Sequence, residues 1–523
     1  MGALPLRRST APEPYAASHA AFERLVATVD NREAERMDHS DMERLLAEQG
    51  SEVLRQLLQD WVAKRAAAEV PEPVVDAEGR ERTRKRVHTR ELETIFGTVT
   101  VERTGYGAPG EESLHPLDAA LNLPEERYSL EVRRRAAIEA SKSSFDETVE
   151  TLACYTAAHV PKRQVEELVQ RAAEDFDAFY ESRRQDLPEP THAAEGSLLV
   201  ITTDGKGVVM KKEDLRPATR KAAEKKPAST LRTRLTRGEK RNRKRMATVA
   251  AVYTITPYVR NPAQVLAALQ REQERLADRQ PRPRPEKKRV WASVEKDAAQ
   301  VVEEAFHDAF DRDPDASKTW VGVVDGQEAQ LALLESMAEK YGVKPTIVLD
   351  IFHVLEYVWK AGRAFCVEGS RELEEWVFER VGRILEGHAT RVAAGMRRSA
   401  TKRKLSRTRR APVDTCANYL LKYQDYLAYD QYLAAGFPIA TGVIEGACRH
   451  LVNDRLGITG ARWRLTSAEA VLRLRSLRSS GDFDEYWRFH EAREHERNHQ
   501  ARYAARQVSD LTPSAPPDLQ LIP

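Results

Sequence analysis

Four acidic residues stand where short apolar runs break off. Asp204 lies at the end of "SLLVITTDG", Asp325 at the end of "TWVGVVDG", Asp350 at the end of "PTIVLD", and Glu445 within "PIATGVIEGACRHLVNDRL". Carboxylates that meet at one point can hold two divalent ions about 3.5–4 Å apart, which activates a water or hydroxyl and neutralises the leaving oxygen of an in-line displacement at phosphorus. Hard Mg2+ or Mn2+ takes oxygen ligands and keeps several waters, so two or three carboxylates suffice. Asp is short and suits a strand end, whereas Glu reaches in from a helix. Each residue alone has a plainer reading. Asp-Gly after a strand is a common turn signal, and a single Glu445 is an ordinary helix carboxylate. The separations, 325 − 204 = 121 and 445 − 325 = 120 residues, require long insertions if these groups are to meet.

The order of elements decides which groups can converge. From residue 196 the chain reads as a strand, a basic insertion, two more strands ("MATVAAVYTITPYV" and "KRVWASVE"), then helix, strand, helix, strand and the helix "IFHVLEYVWKAG". Three leading strands followed by alternation indicate a mixed sheet flanked by helices, the element order of the ribonuclease H-like fold. There the first and fourth strands adjoin, which brings Asp204 and Asp325 together. Asp350 ends the fifth strand, 350 − 325 = 25 residues on, and caps the helix opening at Ile351. With His353 one turn later, it reads as a neighbour of the site, His353 serving as an auxiliary donor or a contact to the scissile phosphate. Lys206 is either a phosphate contact or a solvated lysine.

The expected fold class is thus mixed α/β, a ribonuclease H-like core with a helical insertion, preceded by a mainly helical N-terminal region. Residues 1–125 hold polar helices and a small hairpin over 91–107. Residues 126–190 pair two helices around Pro161, as a helix-turn-helix or an ordinary helical hairpin. The first part of the core takes 191–361 with a basic insertion at 211–245, an Arg-rich helical insertion takes 362–436, the last core helix and its followers take 437–490, and a polar tail takes 491–523.

The net charge of +2 hides an uneven distribution: 211–247 carry 15 Lys/Arg against 4 Asp/Glu, and 391–410 carry 9 Lys/Arg and no acid. Such runs are solvated loops or the footprint of a polyanion, and two in one chain favour nucleic acid. Candidate DNA contacts are Lys162 and Arg163 at the start of the second paired helix, Lys240, Arg241, Arg243, Lys244 and Arg245 in the basic insertion, and Arg462, Trp463 and Arg464. The Trp463 indole either stacks a frayed base or belongs to the core. Four isolated cysteines suit a reducing compartment, and no apolar stretch is long enough to span a bilayer, so a soluble intracellular protein with no membrane partner is expected. "HERNH" (495–499) matches a zinc-protease pattern, but its flanks are charged nearly all round, and a solvated helix surface is the expectation.

Taken together, "TTDGKGVVMK", "VVDGQ", "VLDIFHVLEYVWKAG", "TGVIEGACRHLVNDRLGITGARW" and "SAEAVLRLRSLRSSGDFDEYW" resemble a bacterial insertion-sequence transposase of the DDE class, in the ISKra-type branch that is similar to Mutator-like enzymes. The resemblance spans roughly residues 90–500. It implies cleavage at transposon ends and attack of the freed 3′-hydroxyl on target DNA, with a two-metal Mg2+ or Mn2+ site. The catalytic, metal-binding triad would be Asp204, Asp325 and Glu445, with Asp350 and His353 matching an Asp/Cys-x-x-His signature downstream of the second aspartate. The implied partners are terminal inverted repeats and target DNA, held by a homodimer, and the implied location is the bacterial cytoplasm, at the nucleoid. Two alternatives stay open: a catalytically silent DNA-binding protein of the same fold, and a ribonuclease H-like nuclease without strand transfer. Hydrolysis and transfer share one metal site and differ in the nucleophile.

Overall fold

The computed structural model describes residues 14–69, 73–185, 196–224, 243–270, 281–458 and 460–508. The chain forms two compact units, Met1–Phe179 with Phe483–Pro523, and Tyr180–Asp482.

The first unit opens with helices Ala16–Val29 and His39–Ala67, followed by an antiparallel hairpin, β1 (Arg84–Thr94) and β2 (Gly97–Gly107). The hairpin begins seven residues earlier than the expected 91–107, because Arg84–Arg90 is too charged to show an alternating pattern. Helix His39–Ala67 lays Leu58 and Val62 on Leu92, Val99 and Val101 of the hairpin. Its Gln59 side-chain amide exchanges both hydrogen bonds with the Thr100 backbone, at 2.8 and 2.7 Å, closing part of the β2 edge as another strand would. Helices Phe145–Tyr155 and Lys162–Ala172 form the anticipated pair. The second buries Val165, Leu168, Val169 and Ala172, and leaves Lys162 and Arg163 exposed beside Asp146 (2.6 Å) and Glu167 (3.1 Å).

The segment after 490 is not a polar tail as far as residue 508. Helix Phe483–Asn498 belongs to the first unit and joins a buried chain of charges. Arg133, fully buried, donates to Glu126, to Glu494 at 2.9 Å and to His490 Nε2 at 2.9 Å. Arginine can only donate, so His490 Nε2 accepts and Nδ1 carries the hydrogen that reaches Asp175 at 2.7 Å. Arg497 closes the chain on Asp175 (3.0 Å) and Glu494 (2.6 Å). His495 and His499 donate from Nε2 to the carbonyls of Ala119 (3.0 Å) and Leu123 (2.9 Å). The expected solvated face around "HERNH" is therefore a packed polar interface. Phe483, Tyr486 and Trp487 bury the first half of the helix as an aromatic stripe, whereas the half that holds "HERNH" is packed by the ion-pair network, with no large apolar residue to signal it.

The second unit is built on a five-stranded mixed sheet, β3 (Leu198–Val209), β4 (Lys244–Ile255), β5 (Glu286–Ser293), β6 (Thr319–Val324) and β7 (Thr346–Leu349), in the order β5-β4-β3-β6-β7. Strands β3, β4 and β5 run antiparallel in turn, and β6 and β7 run parallel to β3. The protein is thus mixed α/β with a helical N-terminal region. Residues 198–203 and 247–254 are buried without alternation, as strands covered on both faces must be. Helix Ala298–Arg312 packs on β3 and β4, Gly442–Ala447 on β3, β4 and β5, and Leu465–Ser480 on β5. Helices Arg371–Leu385, Ala389–Lys402, Arg407–Lys422 and Tyr429–Ala434 follow the helix after β7. No helix among the described residues is long and apolar enough to cross a membrane.

Strand β3 does not stop at Asp204. It pairs with β6 only as far as Thr202, yet continues beside β4 to Val209 as a two-stranded ribbon. The Asp-Gly step expected to end the strand lies inside it, because β4 supplies partners beyond the point where β6 turns away.

Burial opposes ionisation of Asp175, but hydrogen bonds from His490 and Arg497 outweigh it and hold the carboxyl at about 2, below the ordinary 3.8. The folded value is the lower one, so this stabilisation is complete above the unfolded value and disappears as pH falls through the folded one. Its size is roughly 1–2 kcal/mol once screening at the partly exposed Arg497 is counted. Tryptophan fluorescence during acid titration should show the first unit weakening across that window. Asp175→Asn should be less stable at neutral pH and lose that acid-sensitive component; an acid profile identical to wild type would refute the assignment.

Candidate functional site

The sheet register sets the aspartates in a row. Thr202 pairs with Val323, so Asp204, still within β3, and Asp325, just past the end of β6, each two residues further on, stand side by side. Val324 pairs with Leu349, which puts Asp350 beside Asp325. Neighbouring strands lie about 4.8 Å apart, and three carboxylates therefore line one edge of β3, β6 and β7. Asp325 turns away through Gly326, whose φ of +86° demands glycine. The Asp325 carboxylate accepts from Gln327 N at 2.9 Å, and the Gln330 amide, oriented with its nitrogen toward Asp325 as the surrounding donors and acceptors require, bridges Asp325 Oδ1 and Gly205 N at 3.2 Å each. Asp204 Oδ1 accepts from Gly205 N at 2.6 Å.

Asp350 is fully buried. Its N–H donates to Val324 O at 2.8 Å, and its Oδ1 accepts from Phe352 N at 2.9 Å, capping helix Ile351–Gly362. The next N–H, of Ile351, donates to Ile439 O at 3.0 Å and ties down the segment that leads to Thr441. The Thr441 hydroxyl hydrogen-bonds Asp350 Oδ2 and lies 3.4 Å from Glu445 Oε1. Glu445 occupies the first turn of a helical stretch from Gly442 to Leu456 that widens to π-helix at Cys448–Asn453. Such widenings recur at functional sites, and here Cys448 Sγ comes 3.2 Å from Asp204 Oδ2. His353, one turn into its helix, sits between the aspartates, with Nδ1 3.7 Å from Asp350 Oδ2 and Nε2 3.9 Å from Asp325 Oδ2. Both distances are electrostatic approaches rather than hydrogen bonds.

Charge is crowded here. The Asp350 carboxylate, and Asp325 beside it, raise the His353 imidazole above its usual pKa against the opposing pull of burial. Burial, then repulsion from Asp350 and Asp204, push the Glu445 carboxyl above the usual carboxylate range. A set of carboxylate oxygens with one imidazole is the donor chemistry of Mg2+ or Mn2+.

The structure therefore brings Asp204, Asp325, Asp350, His353 and Glu445 to one edge. Among the described residues, the His/Cys/Asp/Glu group whose ligand atoms all lie within 4.8 Å is Asp350, His353 and Glu445. Asp350, read from the sequence as a neighbour, is the residue around which Glu445 and His353 gather, because Thr441 ties its carboxylate to the Glu445 helix. Thr441, Cys448 and Gln330 escaped the sequence reading. The spacing of Thr441 and Cys448 from Glu445, four residues before and three after, was the available signal, since it puts all three on one helix face.

The expected DNA contacts separate into groups. Lys206 is half-buried in β3, Arg243 is half-exposed just before β4, and Lys244, Arg462 and Arg464 are exposed. Arg245 is not free for DNA: its guanidinium donates to the carbonyls of Val294 (2.7 Å), Asp214 (3.1 Å) and Glu295 (3.1 Å). Nor is Trp463 a stacking platform. It is buried, its indole N–H donates to Leu456 O at 3.2 Å, and its backbone bridges to the end of β3. Lys240 and Arg241 lie outside the described residues. No family model matches the chain, and no curated protein matches it.

Thr441→Val keeps the shape of residue 441 and removes its hydroxyl. Calorimetric titration with Mn2+ should show affinity weakened by about 10–100-fold, the usual cost of losing a group that orients a ligand, and Thr441→Ser should restore it. Unchanged Mn2+ affinity in the valine variant would remove Thr441 from the site.

Proposed function

We propose that this chain is a DDE-type DNA transposase on a ribonuclease H-like core, cutting the ends of a mobile element and transferring the freed 3′-hydroxyl to target DNA. The carrying observation is the convergence of Asp204, Asp325, Asp350 and Glu445 at one sheet edge. Counted from β3, the strand order is 3-2-1-4-5 with the first three antiparallel, the arrangement of ribonuclease H-like folds, and it supports the reading.

Asp204, Asp325 and Glu445 would hold Mg2+ or Mn2+, with Asp350 and His353 completing the donor set. When bound, the ions activate the attacking oxygen and neutralise charge on the leaving one. Thr441 and Gln330 keep Glu445, Asp350 and Asp325 aimed at a common point, so little reorganisation is needed as charge develops. His353, partly exposed between Asp350 and Asp325, would give up its proton and offer a ring nitrogen to the ion. Lys206 adds positive charge on the adjoining strand. The helix pair over 145–172 and the exposed cations Lys244, Arg462 and Arg464 are the proposed DNA contacts, with two copies holding two ends.

Full-length protein incubated with duplex DNA carrying the element's ends and Mg2+ or Mn2+ should nick those ends and join them to a target. Asp204→Asn, Asp325→Asn and Glu445→Gln should each slow cleavage by on the order of 10³-fold or more, several kcal/mol of lost transition-state stabilisation, while DNA affinity holds. Wild type that binds the ends but neither cuts nor joins them would be a silent DNA-binding protein, and cutting without joining would mark a nuclease. An active Asp325→Asn would overturn the site.

A further inference from the structure

Helices Ala389–Lys402 and Arg407–Lys422 form an antiparallel pair joined by a four-residue turn. Residues 389–422 contain ten Lys/Arg and one acid, Asp414. Part of this charge has structural employment. Asp414 takes Arg397 and Arg410, Arg403 and Arg409 donate to the carbonyls of Phe365 and Ala364, and Lys422 pairs with Glu328. Arg391, Arg398, Lys402, Lys404 and Arg407 are exposed and have no ion-pair partner among the described residues. Four of these, Arg398, Lys402, Lys404 and Arg407, flank one turn and raise a local positive potential whose natural counterpart is a polyanion.

The turn itself carries an independent sign. Lys404 follows the first helix with φ +48°, in the left-handed region. Glycine or asparagine normally takes that place, because other side chains cost stability there. A lysine held in this conformation keeps a charge at the apex against the local backbone preference, and such an outlier points to use. The pair is also fastened to the site. Tyr419 donates to Asp325 O at 3.3 Å, its ring stacks on Tyr357 with centroids 4.0 Å apart, and Tyr423 donates to Gly326 O at 2.7 Å.

We propose that this apex docks the sugar–phosphate backbone of duplex DNA. Its partner rests on the functional reading above. Twelve helical residues separate Arg407 from Tyr419, about 18 Å at 1.5 Å each. Duplex DNA rises about 3.4 Å per base pair. With the duplex laid along this helix, that length spans about five base pairs between the dock and the phosphate at the carboxylates. Phosphate contacts at that distance fix the register of the duplex without reading its sequence.

The test uses the full-length protein and a fluorescent duplex of about 30 base pairs, with affinity measured across salt concentration. In the triple variant Arg398→Gln, Lys402→Gln, Arg407→Gln, the log–log salt slope should fall by about 2.7, or 0.9 per lost phosphate contact, and affinity at about 0.15 M salt should weaken by on the order of 100-fold. Lys404→Gly should reduce the slope by about one while the melting temperature holds or rises, which separates lost charge from lost folding. A triple variant with the wild-type slope and affinity overturns the dock, as does Lys404→Gly with an unchanged slope. If the triple variant binds weakly but wild type never cleaves with Mn2+, the dock stands and the transposase reading falls. If wild type cleaves and the variant binds as tightly as wild type, the transposase reading stands and the dock falls.

Discussion

Like charges gather at one point only if the fold holds them there, and the second unit is organised around that constraint. Parallel pairing of β3, β6 and β7 sets Asp204, Asp325 and Asp350 in a row whose spacing the strands dictate. Glu445 comes in from the helix against them. Neutral donors offset part of the repulsion: the backbone N–H groups of Gly205, Gln327 and Phe352, and the hydroxyl of Thr441. Hydrogen bonds to the ionised form favour it, while burial and like charge disfavour it. At Glu445 the disfavouring side wins, which leaves the cluster suited to an added cation. The apolar sheet beneath, buried on both faces, supplies the rigidity that the arrangement requires.

The insertion between the β7 helix and Glu445 shares that task. Four tyrosine hydroxyls from 419–432 reach backbone carbonyls in or just after β6 and β7: Tyr419 to Asp325, Tyr423 to Gly326, Tyr429 to Leu349 at 2.7 Å and Tyr432 to Ile347 at 3.3 Å. Burial, with nearby Tyr419 and Asp350, pushes the Tyr429 phenol far above its ordinary value and keeps it a donor. Carbonyls at the ends of parallel strands lack a partner in the sheet, and a buried one left unpaired costs about 1–3 kcal/mol. The tyrosines remove that cost and bolt the helical insertion to the strands that carry Asp325 and Asp350.

How much of this could be read from sequence depended on whether a feature was local. The core's alternation of strands and helices was legible because apolar runs and caps repeat within a few residues, and the Asp350 cap could be read directly from "LDIF". The end of β3 was not, because Asp204-Gly205 looks the same in a turn and inside a two-stranded ribbon. Arg245 looked available because nothing nearby in the chain occupies it, and of the two readings of Trp463 the core one holds. The partners of the Arg245 guanidinium, the 294–295 carbonyls about 50 residues on, are set by tertiary packing. In helix Phe483–Asn498 the stripe of Phe483, Tyr486 and Trp487 is periodic, but burial of the second half runs through Arg133 and Asp175, each over 300 residues from His490, and leaves no such trace.

Asp350 shows how the two kinds of information meet. Its capping role is local and explains its position at a helix start, but a cap needs only one carboxylate oxygen, and Phe352 N occupies Oδ1. Oδ2 is left for Thr441 and for the approach of His353. Capping would be satisfied equally by Ser or Thr, neither of which would supply that second oxygen. The side chain that best fits both demands is a short carboxylate, with two acceptor oxygens, fixed at the strand end. On the proposed reading, Asp350, His353 and Glu445 form one ion position and Asp204 with Asp325 the edge of another, with His353 facing both aspartates of the parallel strands. The register that aligns β6 with β7 then matters as much to the chemistry as the register that aligns β6 with β3.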